Sequence, residues 1–182
     1  MRMLTCLALA FCVMAGTACS EQSKVGGGSD DILVIDLKGG KVLVKLRPDL
    51  APKHVERVKL LAKEGFYDGL KFHRVIGGFM AQTGDPSGTG AGGSNYPDLP
   101  AEFSQEPFKR GTIGAARTAD PNSANSQFFI CFDDTGCSGL TGQYTVLGQV
   151  IEGMDHVDQI AKGEPPAIPD VMQKVYVQSD AK

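Results

Sequence analysis

The sequence predicts a mainly β fold: a closed eight-stranded antiparallel β-barrel capped by two α-helices. Three observations carry this expectation. About eight short runs are rich in β-branched, aromatic and long apolar residues, with Gly- or Pro-containing turns between them. Only two stretches place apolar residues at helical spacing. The 182 residues suit one domain of ordinary size, and a hydrophobic content of 42 % supplies a core. Antiparallel strands with few helices in such a domain favour closure, which removes sheet edges.

Residues 1–18 read as a targeting segment. Arg2 gives a minimal positive region, Leu4 to Ala15 is an apolar stretch of signal length, and the small residues Ala15-Gly16-Thr17-Ala18 follow. Cys19 comes next, so the segment resembles a bacterial lipoprotein signal in which Cys19 is lipidated and becomes the mature N-terminus. Gly16 stands where that signal usually has an aliphatic residue, which leaves cleavage after Ala18 by the general signal peptidase open. Both routes export the domain to the periplasmic side. Ser20 after Cys19, rather than Asp, favours an outer-membrane anchor. Residues 19–31 form a flexible tether, because SEQSKVGGGSDD is polar and Gly/Ser-rich.

The folded domain is expected over 32–179, with 180–182 as a tail. Ile32 to Leu37 and Lys41 to Leu46 are β-rich runs around Gly39-Gly40 and predict a hairpin. Pro52 starts a helix, Val55, Val58, Leu61 and Ala62 line one face of it, and Gly65 stops it. Leu99 to Phe103, Gly111 to Arg117, Gln127 to Phe132 and Tyr144 to Ile151 read as strands. A second helix is expected over Gly153 to Lys162, ended by Gly163 and by Pro165-Pro166. Met172 to Gln178 alternates and closes the domain as a strand.

The most informative stretch is FHRVIGGFMAQT, from Phe72 to Thr83. Gly77-Gly78 splits it into two runs that predict a hairpin, since both glycines take positive φ freely. Alternation sets Phe72, Arg74 and Ile76 on one face, and groups Met80 with Gln82. An arginine and a glutamine thus sit among apolar neighbours on a small sheet. Taken alone, such an arginine is an exposed residue lying along the sheet on its apolar stem.

Several function classes are set aside. The formal charge of −3, which loses only the charge of Arg2 with the signal, lacks the basic patch of a nucleic-acid binder. Gly84 to Gly93 (GDPSGTGAGG) is glycine-rich, but no helical pattern follows and the Walker lysine is missing, so it reads as irregular backbone over the sheet. His54, His73 and His156 are scattered, and no Cys/His spacing fits a metal, so neither metal nor cofactor is expected. Cys6 and Cys12 leave with the signal, and Cys131, at the end of FFIC, reads as a small buried hydrophobe. An oxidising compartment also permits a Cys131–Cys137 disulfide, the less favoured reading. With no coiled-coil seam, a monomer is expected.

In order, FHRVIGGFMAQTGDPSGTG from Phe72, SQFFIC from Ser126 and GQYTVLGQVIEGMDHVDQI from Gly142 resemble the cyclophilin family of peptidyl-prolyl isomerases. The resemblance covers roughly Ile32 to Ser179. It implies proline-containing polypeptides as clients, bound in a groove on the outer wall of the barrel. It assigns Arg74 as the catalytic arginine, with Gln82 holding the guanidinium and touching substrate. Phe79, Met80 and Phe129 match the pocket for the proline ring, Gln127 a further groove residue, and Leu140 an apolar residue of the following loop. Arg117 and Thr118 replace an alanine and an asparagine beside the substrate backbone. Gly139 stands where the family often has tryptophan, Tyr144 where many members have histidine, and the Asp133–Ser138 loop is slightly longer than usual. The implied function is isomerisation of X–Pro bonds in exported proteins. The alternative is a membrane-anchored module that binds proline segments with little turnover.

Overall fold

The computed structural model describes residues 28–181. The expected first hairpin forms, with β1 (Ile32–Leu37) and β2 (Gly40–Leu46) antiparallel and Leu37 opposite Gly40. Helix α1 (Pro52–Lys63) starts with its proline in the first turn and is left through Gly65 at φ 71°. Its buried face, His54, Val55, Val58, Leu61 and Ala62, turns towards the sheet. Six more strands follow: β3 (Arg74–Ile76), β4 (Met80–Thr83), β5 (Thr112–Ala115), β6 (Phe128–Cys131), β7 (Val146–Glu152) and β8 (Lys174–Val177). Helix α2 (Met154–Asp158) lies between the last two.

The strands form one antiparallel sheet in the order β3-β4-β6-β5-β7-β2-β1-β8. The expected closure is not made: β3 and β8 are its two edges, so the sheet is an open half-barrel. Both edge strands are short, and other backbone occupies the free side of β3, while on β8 Val175 N donates to the Asp68 carboxylate at 2.9 Å. Val75 of β3 exchanges two hydrogen bonds of 2.8 Å with Gly163. Lys71 bridges Val171, Phe72 N donates to Asp170 O at 2.9 Å, and Met172 N donates to Leu70 O at 3.0 Å. The segment before β8 thus covers the edge of β3, and an edge is blunted by covering it as well as by closure.

Three further expectations change. Phe72 does not share a face with Arg74; the regular ladder begins only at Arg74, and Phe72 turns into the core with Val75. Leu99 to Phe103 is not a strand and makes a single bridge, Leu99 to Ala124. Helix α2 ends at Asp158 instead of running to Lys162. The chain leaves it so that Ile160 enters the core at 3 % exposure and Ala161 N can donate to Asp170 Oδ2 at 2.8 Å.

Apolar residues occupy both faces of the sheet. Leu33, Ile35, Val42, Val44, Ile113, Phe128 and Ile130 belong to the main core inside the curve. Met80, Phe108, Phe129, Cys131, Cys137 and Val146 form a second cluster on the outer face. FFIC is apolar throughout because β6 is buried on both sides: Phe128 and Ile130 face inward, Phe129 and Cys131 outward.

Candidate active site

Strand register sets one row of residues across five strands. Arg74 lies opposite Gln82, Gln82 opposite Phe129, Phe129 opposite Gly114, and Gly114 opposite Val146. Met80 pairs with Cys131 in the next row on the same face. Gly114 makes the row possible. A Cβ there would overlap the Phe129 ring and lie 2.7 Å from Phe108 Cε1. With only hydrogen at that place, Phe129 stacks on Phe108 at 5.8 Å between ring centroids, and Tyr144 meets Phe129 edge-on at 5.8 Å. The ladder between β5 and β7 also shifts register between Ile113 and Gly114, the kind of bulge that gathers beside active sites.

A slot of about 100 Å³ opens over this cluster, with room for one small ring. Phe79, Met80, Phe129, Leu140 and Tyr144 supply its apolar wall, and Arg74, Gln82 and Arg117 its polar rim. Ala116, which sequence reasoning missed, completes the lining. A second cavity of about 290 Å³ adjoins it across Gln82, Ala116 and Arg117, which line both. Thr118 and Gln127 line this second, polar cavity with Asn125 and the backbone of residues 90–93, rather than the slot. The ten site residues expected in the domain therefore divide between two joined recesses. Cys19 lies outside the described residues.

Arg117 is clamped between the recesses. Its guanidinium stacks over the Tyr144 ring at 4.4 Å, and its Nη atoms donate to Thr118 O and Gln143 O, each at 2.9 Å. Gln82 does not hold Arg74 as expected. Among the described residues its Nε2 donates to Gln127 Oε1 at 2.8 Å, and no hydrogen bond links it to the arginine. The charged neighbour of Arg74 is Glu164, with Oε1 3.6 Å from Nε. Sequence reasoning did not place Glu164 at the site; it reaches Arg74 because Gly163 pairs with Val75, next to Arg74 on β3.

Cys131 is buried, as the apolar run implied, and it is also bonded: Cys131 and Cys137 form a disulfide. The bond joins the end of β6 to the loop leading into the 3₁₀ turn Ser138–Leu140, which carries Leu140 of the slot. Gly136 of that loop presses so closely on Gly78 that a Cβ would collide with Gly78 O.

The recesses and the Arg74 guanidinium at their rim define a class: an antiparallel β protein with a small apolar slot on the outer face of its sheet, bordered by a cation. Comparisons with known proteins make this specific. The family model for the cyclophilin type peptidyl-prolyl cis-trans isomerase/CLD matches residues 32–179. A probable peptidyl-prolyl cis-trans isomerase from Brucella suis biovar 1 is 52 % identical over 177 residues, covering 88 % of this chain and 89 % of that one. A peptidyl-prolyl cis-trans isomerase of Helicobacter pylori is 43 % identical over 129 residues, 69 % of this chain and 77 % of its own. Among solved structures, cyclophilin AquaCyp293 from Hirschia baltica superposes with a TM-score of 0.78 at 27 % identity, over 85 % of this chain and 76 % of that one. A Cryptosporidium parvum cyclophilin type isomerase, determined in the presence of the dipeptide Ala-Pro, gives 0.73 at 27 % identity, over 80 % and 98 %. The chain belongs to the cyclophilin-type peptidyl-prolyl cis-trans isomerases, and its activity is the interconversion of cis and trans X–Pro bonds.

Proposed function

We propose that Arg74 performs this isomerisation by stabilising a half-turned prolyl amide, and that the clients are exported polypeptides. The observation that carries the catalytic reading is the single slot bounded by Arg74, Phe79, Met80 and Phe129. Rotation about an X–Pro bond breaks amide resonance, against a barrier of about 18–20 kcal/mol. Acceleration on the order of 10⁴-fold needs only about 5 kcal/mol of stabilisation of the twisted state over the planar ones. In that state the prolyl nitrogen becomes pyramidal and recovers its lone pair. A guanidinium N–H aimed at the lone pair is favourable there alone, and no proton has to move. Phe79, Met80 and Phe129 exclude water around the contact, which strengthens it, and they hold the ring while the preceding carbonyl swings. Gln82, at the rim of both recesses, is placed to touch the peptide. The Ala-Pro dipeptide used with the Cryptosporidium relative supports proline peptides as ligands.

The export reading rests on the pattern of residues 1–19 and gains support from the Cys131–Cys137 disulfide, a bond that persists in oxidising compartments. In it, residues 1–18 are removed, Cys19 carries the lipid, and 19–31 tether a monomeric domain to the outer membrane. Several acyl chains anchor stably where one does not.

A protease-free isomerisation assay on a prolyl tetrapeptide tests the catalytic reading. Arg74→Ala is expected to lower kcat/KM by about 10²-fold or more, and equal rates for parent and variant reject the role. Intact mass of protein extracted from membranes tests the anchor: an unmodified Cys19 rejects it.

A further inference from the structure

Asp85 is buried, 1 % exposed, directly after Gly84 at the end of β4, and the reaction itself makes no use of it. Its carboxylate gathers the glycine-rich loop around itself. Oδ1 accepts from Ser87 N at 2.7 Å, and Oδ2 accepts from Thr89 N at 3.0 Å and Gly90 N at 2.6 Å. Ser87 Oγ donates to Oδ1 at 2.8 Å. Gly92 closes over the carboxylate so tightly that a Cβ would overlap Oδ1 and lie 2.9 Å from Ser87 Oγ. Burial pushes the carboxyl up, but these donors outweigh it and hold it down at about 2.

The loop so formed presents two carbonyls to the groove. Gln127 Nε2 donates to Gly90 O at 3.0 Å and to Gly92 O at 2.7 Å. Both amide hydrogens of Gln127 are then used, so its oxygen must point the other way, where it accepts from Gln82 Nε2 at 2.8 Å. That contact in turn fixes the amide of Gln82, with its Oε1 left for the recesses it lines. We infer that Asp85 is a positioning residue: acting through the Gly90 and Gly92 carbonyls and Gln127, it turns Gln82 Oε1 towards the groove as an acceptor for a backbone N–H of the bound peptide. The glycine-rich loop is thereby the outer support of the peptide site. This inference rests on the isomerase reading of the groove.

The consequence is specific to peptide binding. Without Asp85 the loop carbonyls lose their place, Gln127 can turn over, and Gln82 offers its N–H₂ where the peptide also presents N–H. Arg74 and the slot residues keep their positions on β3, β4 and β6, which other bonds hold.

The test uses the full chain with Asp85→Asn, Gly92→Ala, Gln127→Ala and the double variant Asp85→Asn/Gln127→Ala, on a prolyl tetrapeptide. Gly92→Ala displaces the carboxylate while keeping its charge, and so serves where Asp85→Asn does not fold. The expected result is KM raised about tenfold in each single variant, with kcat changed less than about threefold. The double variant is no worse than Gln127→Ala, because the two residues act in series. The Gln82 side-chain amide resonances shift in Asp85→Asn and in Gly92→Ala alike. Unchanged KM in both variants of an active parent overturns the inference, as do additive losses in the double variant. An inactive parent overturns the isomerase reading instead, and the Gln82 resonances then still decide whether Asp85 governs that amide.

Discussion

Glu164 Oε1 lies 3.6 Å from Arg74 Nε, the guanidinium nitrogen bonded to the aliphatic stem. Among the described residues no hydrogen bond occupies the Arg74 guanidinium, so its N–H groups stay available to the slot it lines. The side chains are 42 % and 50 % exposed, so the pair is worth under about 1 kcal/mol and is screened by salt. Glu164→Gln is expected to lower kcat/KM about twofold at low ionic strength. Raising the salt concentration should bring the parent down to the variant. Faster turnover in Glu164→Gln would show instead that the carboxylate competes with substrate for the arginine.

Gly114 supports the slot from beneath. Its methyl equivalent overlaps Phe129 and crowds Phe108, the two rings stack on each other, and the open side of Phe129 is the slot. Gly114→Ala should therefore push Phe129 up into a recess of about 100 Å³. The expected cost is about 1–3 kcal/mol of stability, with a loss in kcat/KM larger than the loss in folded fraction. Urea unfolding and isomerisation measured on the same sample separate the two. Activity that falls only in proportion to unfolding would mean that the ring does not define the slot.

The two residue periods read from the sequence account for most of the fold and part of the site. The first hairpin and α1 were legible because their patterns are local: alternation around Gly39-Gly40, and Pro52 and Gly65 at the ends of one helical face. Phe72 was misplaced because strand pairing, not strand-like composition, fixes a face, and pairing starts two residues later. Closure failed as an expectation because the edge of β3 is covered by residues 163–172, an irregular segment with no periodic signal. The row Arg74, Gln82, Phe129, Gly114 is a property of register among strands distant in sequence, which single-strand patterns do not contain. Motif resemblance named three of these residues but not Gly114, and it gave Gln82 a partner that the hydrogen bonds assign to Gln127.

Asp85 also makes stability depend on pH. Its carboxyl is held at about 2 in the folded chain, below an ordinary value of 3.8. The folded state thus favours the ionised form. The stabilisation is complete above pH about 4 and is lost as pH falls through about 2, with a full size of about 2 kcal/mol. Burial also lowers the pKa of His73, packed against the same loop, so this group too favours the folded state less as pH falls, and comparison of Asp85→Asn with the parent isolates the carboxylate. Asp85→Asn should be less stable than the parent at neutral pH, and the difference should shrink steadily between pH 4 and pH 2. A difference that stays constant with pH would show that the carboxylate is not the group responsible.

The Cys131–Cys137 disulfide closes a short loop, with the cysteines six positions apart. Chain-entropy arguments for so small a loop give about 2 kcal/mol of stabilisation. Its position adds a functional consequence. Cys131 sits beside Phe129 on β6, and the bonded loop packs on Gly78 and delivers Leu140 to the slot wall. Replacing both cysteines by alanine should lower Tm by about 4–8 °C. It should also raise KM more than it lowers kcat, because Leu140 contacts the ring but not the reacting amide. Both sulfurs belong to residues with 0 % exposure, so a reductant should act on the folded parent only as fast as the site opens. Protein made in a reducing cytosol should match the double variant, and protein recovered from an oxidising compartment should match the parent. Equal Tm and KM for the oxidised parent and the double variant would remove the disulfide from any role in shaping the slot.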